Sequence, residues 1–103
     1  MKLQISSPDL PLEGTVENYI SKKLGENLEK FLKKVPIDER IADIHVTKTS
    51  AFEIRVSFDM MLPEGGHIFA DEKADEFHKA VNELHDEVSR QLKRYKDKLD
   101  PQK

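Results

Sequence analysis

The 103-residue chain contains no cysteine and no tryptophan. Without cysteine there is no disulfide, no thiolate metal centre and no thiol nucleophile. It has only four glycines, and Gly65-Gly66, the one glycine pair, sits in the turn-like stretch LPEGGH between two strand-like runs rather than in a phosphate-cradling loop. No apolar run approaches the length of a membrane span. The opening MKLQISSPDL lacks the hydrophobic segment of a secretion signal, so a cytoplasmic location without membrane contact is the expectation. A basic surplus is also missing. Lysine and arginine number 17 against 20 aspartates and glutamates, a formal net charge of −3, whereas nucleic-acid-binding domains usually carry excess positive charge. Any grip on a polyanion must come from local segregation of charge.

What is present has the size of one domain, residues 1–103, with a core of two layers at most. LQIS (Leu3–Ser6) reads as a short strand. Val16, Tyr19, Ile20, Leu24, Leu28, Phe31 and Leu32 then recur at helical spacing, from Gly14-Thr15 to a stop at Pro36, with Gly25 a weak point worth about 1 kcal/mol relative to alanine. Ile41–Lys48 reads as a strand with Ala42, Ile44 and Val46 on one face. In the next run Phe52, Ile54, Val56, Phe58 and Met60 alternate with polar residues, the pattern of a strand with one buried face. A short strand, His67–Ala70, completes a hairpin. Ala74, Phe77, Val81, Leu84, Val88, Leu92, Tyr95 and Leu99 form a single apolar stripe on one long helix, ended by Asp100-Pro101. The order β-α-β-β-β-α predicts an α+β two-layer sandwich, two helices packed on one face of a four-stranded sheet.

The long helix is split end to end by charge. RQLKRYKDKL (residues 90–99) carries Arg90, Lys93, Arg94, Lys96 and Lys98 against Asp97 alone, whereas residues 71–87 hold seven carboxylates against Lys73 and Lys79. Two readings stand open, and on charge pattern alone the blander one is somewhat favoured. Acids at a helix start and bases at its end are stabilised by the macrodipole, by 0.3–1 kcal/mol each, so the segment is accounted for as a solvated helix end. That effect fades within a turn, however, and Arg90 lies more than two turns before Leu99, which leaves room for a polyanion surface. Antiparallel helices side by side would let Lys22 and Lys23 join it and focus a positive field. Arg90 and Arg94 lie opposite the apolar stripe, so reversing both charges is expected to spare the fold.

Enzymatic readings fare poorly. His78 and His85 are seven residues apart on a helix, roughly 10.5 Å along its axis, too far to share a metal whose ligands lie near ~2.1 Å. His45 and His67 have no companion set. Asp71-Glu72-Asp75-Glu76 lacks the alternating oxygen ligands and central glycine of a calcium loop, and a place at the helix start accounts for it. Tyr19, Phe77 and Tyr95 fall in apolar stripes, which makes core packing the better reading than base stacking. The expectation is a protein without catalytic activity, cofactor, metal or small-molecule substrate.

The element order and the RQLKRYKDKL ending together resemble the short ribosome hibernation-promoting factor and ribosome-associated inhibitor A family, the sigma-54 modulation proteins. Arg90, Gln91, Leu92, Arg94, Lys96, Lys98 and Leu99 fall on the family's run RQLxKxKxKL. LQIS resembles its first strand, ENYISKKL its first helix with Lys23 on a characteristic lysine, and Ala80-Val81 the Ala-Ile after its D-M-Y. The chain departs from the pattern at Glu76-Phe77-His78, which stands for D-M-Y, and at Glu17, Glu26-Asn27 and Glu87, where the family commonly has a basic residue. The resemblance implies a factor that binds the small ribosomal subunit in the mRNA–tRNA channel and silences translation under stress. Its partner would be rRNA, met by basic residues of both helices. On this chain those are Lys23, Arg90, Arg94, Lys96 and Lys98, with Lys22 and Lys93 as lesser candidates. Longer relatives add a dimerisation domain after this point, so a monomer off the ribosome is expected. The alternative is a protein-interaction module in which the acidic half of the second helix docks a basic partner.

Overall fold

The computed structural model describes residues 1–11 and 14–99. Four strands and two helices follow the expected order: β1 (Lys2–Ser6), α1 (Thr15–Leu24), β2 (Ile41–Ser50), β3 (Glu53–Met61), β4 (His67–Ala74) and α2 (Phe77–Leu99). The sheet order is β1-β2-β3-β4. β1 runs parallel to β2, Ile5 opposite Ile44; β2 and β3 are antiparallel, Val46 opposite Val56; β3 and β4 are antiparallel, Phe58 opposite Ala70. Both helices cover the same face, where Ala42, Ile44, Val46, Val56, Phe58 and Met60 are buried against Ile20 and Leu24 of α1 and Val81, Leu84, Val88 and Leu92 of α2. The sandwich is the one the alternating and helical periodicities require. No helix among the described residues is long and apolar enough to cross a membrane.

Gly25 sharpens from a weak point into a break. α1 ends at Leu24, and residues Glu26–Phe31 continue as a 3-10 helix rather than as α-helix. Gly25 adopts φ −112°, ψ −82° with its N–H on the Ser21 carbonyl, and a Cβ there would collide with that same oxygen. The tighter turn swings Leu28 and Leu32 into the core. Two other expectations shift at strand ends. Phe52 leaves the apolar row: β3 begins at Glu53, and Phe52 sits in the turn beyond the helices' cover, 84% exposed. β4 is twice the expected length and runs to Ala74, so Ala74 belongs to the sheet rather than to the helical stripe. Glu64 (φ 61°) and Gly65 (φ 81°) take the positive-φ positions in the β3–β4 turn. Gly66 does not, and instead makes room for Tyr95, whose Cε1 would lie 2.8 Å from an added Cβ. The side chain of Leu99 and the expected stop at Asp100-Pro101 lie outside the described residues.

The helices run in the same direction, not antiparallel as expected. β1, β2 and β4 share one direction. α1 returns from the end of β1 to the start of β2, with Asp9 ahead of it bonded to the Lys48 N–H and Gly25 behind it near Leu3. α2 likewise runs back along β4, Gln91 beside Phe69 and Tyr95 beside Gly66. A parallel first strand pair demands a crossover of this kind. Both C-terminal helix ends therefore point to one end of the molecule.

Because Gly25 has no space for a Cβ, Gly25→Ala should cost about 1–3 kcal/mol, read as a lower urea midpoint with unchanged slope. An unchanged midpoint would show that the helix break is not imposed by this backbone conformation.

Candidate nucleic-acid interface

The α2 stripe fixes where every other side chain of that helix points. Gln91 lies at the edge of the stripe beside β4: its Nε2 donates to the Phe69 carbonyl (2.8 Å) and its Oε1 accepts from the Phe69 N–H (3.3 Å). These are the outward groups of an edge strand, and pairing them removes a template for strand addition. Glu87 Oε2 accepts a further hydrogen bond from Gln91 (3.0 Å), and the Tyr95 hydroxyl donates to the Pro63 carbonyl (3.3 Å). The C-terminal half of α2 is thereby clipped to the sheet edge and the β3–β4 turn.

At about 100° per residue, Arg90, Arg94 and Lys98 form one row on this β4 side. Arg94 and Lys98 line an open cleft of about 290 Å³ with Gly66, His67, Gln91 and Tyr95. Lys93 points outward and Lys96 toward the α1 side. On that side Tyr19 packs against Phe77 and His78, ring centroids 6.2 and 4.5 Å apart, and its hydroxyl donates to Asn82 Oδ1. Lys23 lies one turn beyond Tyr19, half-buried, with Nζ 6.0 Å from the Tyr19 ring centroid. Since the helices are parallel, it falls roughly two turns, ~10 Å, short of Lys93. Lys22 and Lys23 thus share an end of the molecule with the basic part of α2, but the helix stands between them and Arg90, Arg94 and Lys98. One continuous cleft holding all seven is not formed.

Six of the seven are exposed, Lys23 excepted. Among the described residues only Arg90 has a carboxylate within ion-pair distance, Glu87 at 2.9 Å. Arg90 also stands beside a crowd of like charges. Burial pushes the Glu72 carboxyl up, and Glu83, Glu87 and Asp71 push it further, while Arg90 pulls it down. Placing a glutamate at Arg90 would add a carboxylate to this group and remove the ion pair with Glu87, so a reversal there reads on stability as well as on binding. Arg94→Gln and Lys98→Gln add no carboxylate to this group.

The acidic stretch is also distributed differently from the expectation that it marks the helix start. Asp71 and Glu72 belong to β4, Asp71 paired with Arg55 of the neighbouring strand. Only Glu76 caps α2, accepting from the N–H groups of His78 and Lys79, both at 3.1 Å; its carboxyl is held below the usual range by its bonds to the His78 side chain and backbone. The histidines stay apart: His67 bonds Asp59 (2.7 Å), His78 bonds Glu76 (2.7 Å) and His85 bonds Asp86 (3.2 Å). No group of three potential metal ligands converges among the described residues. Phe77 is buried and Tyr19 and Tyr95 are half-buried in the apolar layer. The clip by Gln91 and the neighbourhood of His67 were not drawn from the sequence. The first left only the polar residue's place at the rim of the stripe as a signal, and the second left none.

A sequence model of the family described as sigma 54 modulation protein / S30EA ribosomal protein matches residues 3–100. Among solved structures, the N-terminal domain of Protein Y from Thermus thermophilus superimposes with a TM-score of 0.79 at 19% identity, over 92% of this chain and 99% of that one. At that identity the likeness speaks for the fold. No curated protein matches by sequence.

The Glu72 environment makes a prediction with a definite sign. A carboxyl whose folded pKa is raised binds its proton more tightly in the native state, so stability falls as pH rises from its unfolded value through the folded one. Glu72→Gln should therefore raise the melting temperature at pH 7, and the gain should vanish as the pH is lowered below about 4. A gain of the same size at both pH values would show that the crowding at Glu72 is not electrostatic.

Proposed function

The chain belongs to the sigma 54 modulation protein / S30EA ribosomal protein family, and on that premise we propose that it is a ribosome-associated hibernation factor. It binds the small subunit in the mRNA–tRNA channel under stress and silences translation by steric occlusion. The observation that carries this reading is the row Arg90, Arg94 and Lys98: exposed cations on a rigid, clipped helix, two of them unpaired among the described residues. Macrodipole compensation accounts for Lys96 and Lys98 in the last turn but not for Arg90 or Arg94. Structured RNA is met mainly through shape and backbone, and affinity of this kind comes largely from release of counterions. Lys93 and Lys96 extend the surface over the top of the helix, and Lys22 and Lys23 flank it from α1. The acidic half of α2 lies toward the other end of the helix, which lets a protein of net negative charge present a locally positive end. The family is one of ribosome-associated factors rather than of enzymes, and the cytoplasm is where such a factor acts.

The rival reading, an acidic docking face on α2, has less to stand on. Glu76 is engaged by the helix cap, Glu87 by Arg90 and Gln91, and Asp71 by Arg55, so much of the acidic stretch already has partners within the molecule.

Co-sedimentation with purified small subunits through sucrose separates the two. The unaltered protein should pellet with subunits at low salt and less so at moderate salt. Arg94→Gln/Lys98→Gln should reduce binding at least ten-fold while the variant keeps the circular dichroism of the folded protein at the assay temperature, and Asp75→Lys/Asp86→Lys should not weaken it. Equal binding by the Arg94/Lys98 variant would reject this surface.

A further inference from the structure

The face of the sheet turned away from the helices carries a second, unlike surface. Of the large apolar side chains exposed on the molecule, Ile41, Met61 (63%) and Phe69 lie on this face at the end where β2 and β4 begin. Ile41 and Met61 line an open depression of about 400 Å³ together with Asp38, Glu39, Asp43 and Asp59. Asp43 and Asp59 stand directly opposite each other across β2 and β3, and Asp59 is opposite Phe69 of β4. Like charges in directly opposed positions destabilise a sheet. No lysine or arginine among the described residues pairs with any of the four carboxylates; Asp59 is met only by His67, and Lys2 sits at the margin opposite Ile41. Arg40, the arginine in sequence reach, is turned the other way, onto Glu29 and the Val35 carbonyl.

Exposed apolar side chains beside unpaired like charges leave a surface that a complementary chain can cover, and the sign of this rim selects the partner. Four carboxylates repel phosphate, so nucleic acid is excluded here. We propose that this outer-face patch docks a cationic, partly apolar protein segment, with an arginine entering between Asp43 and Asp59 and an aliphatic or aromatic neighbour covering Ile41 and Met61. A guanidinium presents its donors as a planar fork and can serve two carboxylates at once, which turns the repulsive cross-strand pair into a charge-matched one. The patch faces away from the helices and meets the cleft of Arg94 and Lys98 only at the β4 edge, where His67 lines that cleft and bonds Asp59. The inference rests on the sheet geometry and holds whether or not the protein binds ribosomes.

The test is an NMR titration of the isotopically labelled full chain with two defined peptides. One is a seven-residue peptide of alternating leucine and arginine; the other has serine in place of each leucine. The leucine peptide should shift the amides around Ile41, Asp43, Asp59 and Met61 and bind at least ten-fold more tightly than the serine peptide. Asp43→Lys should abolish this binding while keeping the fold, since it places a cation opposite Asp59, and Met61→Ser should weaken it at least five-fold. Shifts centred on the acidic first turns of α2, or equal affinity for the two peptides, would overturn the proposal. So would concentration-dependent shifts of the same amides without peptide, which would make a second copy's basic helix end the occupant.

Discussion

One apolar sheet face has to be kept from water, and two helices of very unequal length do it. α1 has 10 residues and α2 has 23, so α2 carries most of the cover over β3 and β4, while α1 and the 3-10 turn after Gly25 complete it over β1 and β2. Because β1 and β2 are parallel, α1 must run back along the sheet, and α2 returns along β4 in the same sense. The shared direction of the helices follows from that strand pairing. So does the orientation of both helices' basic C-terminal turns toward the same end of the molecule.

Within that frame the charges along α2 divide by position. The stripe from Phe77 to Leu92 fixes the rotation of the helix, and rotation decides that Glu83, Glu87, Arg90, Arg94 and Lys98 face the β4 side. The crowd of carboxylates around Glu72 gives way there to a cationic row within two turns. Gln91 holds the helix where this change of sign occurs and closes the strand edge at the same point. A positive surface mounted this firmly loses little conformational freedom on meeting a polyanion, and its field is local enough to coexist with an overall negative charge. The other side of the sheet, freed from core duty, carries an acidic patch where β2 and β4 begin.

The fold was legible wherever periodicity is strong. The alternation in β2 and β3 and the stripe of α2 leave one arrangement that buries all three, and Ala42, Ile44, Val46, Val56, Phe58 and Met60 lie in the core as their spacing requires. The ends of elements were not legible. β4 extends through Asp71 and Glu72 because register with β3 and the Arg55–Asp71 pair support it, contacts made across 16 residues of chain that no local pattern announces. Phe52 looks like a core residue by alternation and fails only because the helices do not reach it. Gly25 was visible as an irregularity, but its conflict with Ser21 is a matter of backbone geometry. The candidate interface was legible as composition, five basic residues in RQLKRYKDKL. Its division into a β4-side row, an outward lysine and an α1-side lysine needs the rotation of the helix and the direction of α1.

Salt dependence of the affinity for small subunits, compared between the unaltered protein and Arg94→Gln/Lys98→Gln, distinguishes a phosphate grip from a solvated helix end. If these two side chains neutralise phosphates, the slope of log K against log salt should become shallower by about 0.7–0.9 for each contact removed, close to 1.5 in all. An identical slope with unchanged affinity would mean that the basic end of α2 is a solvated helix terminus and not a grip on RNA.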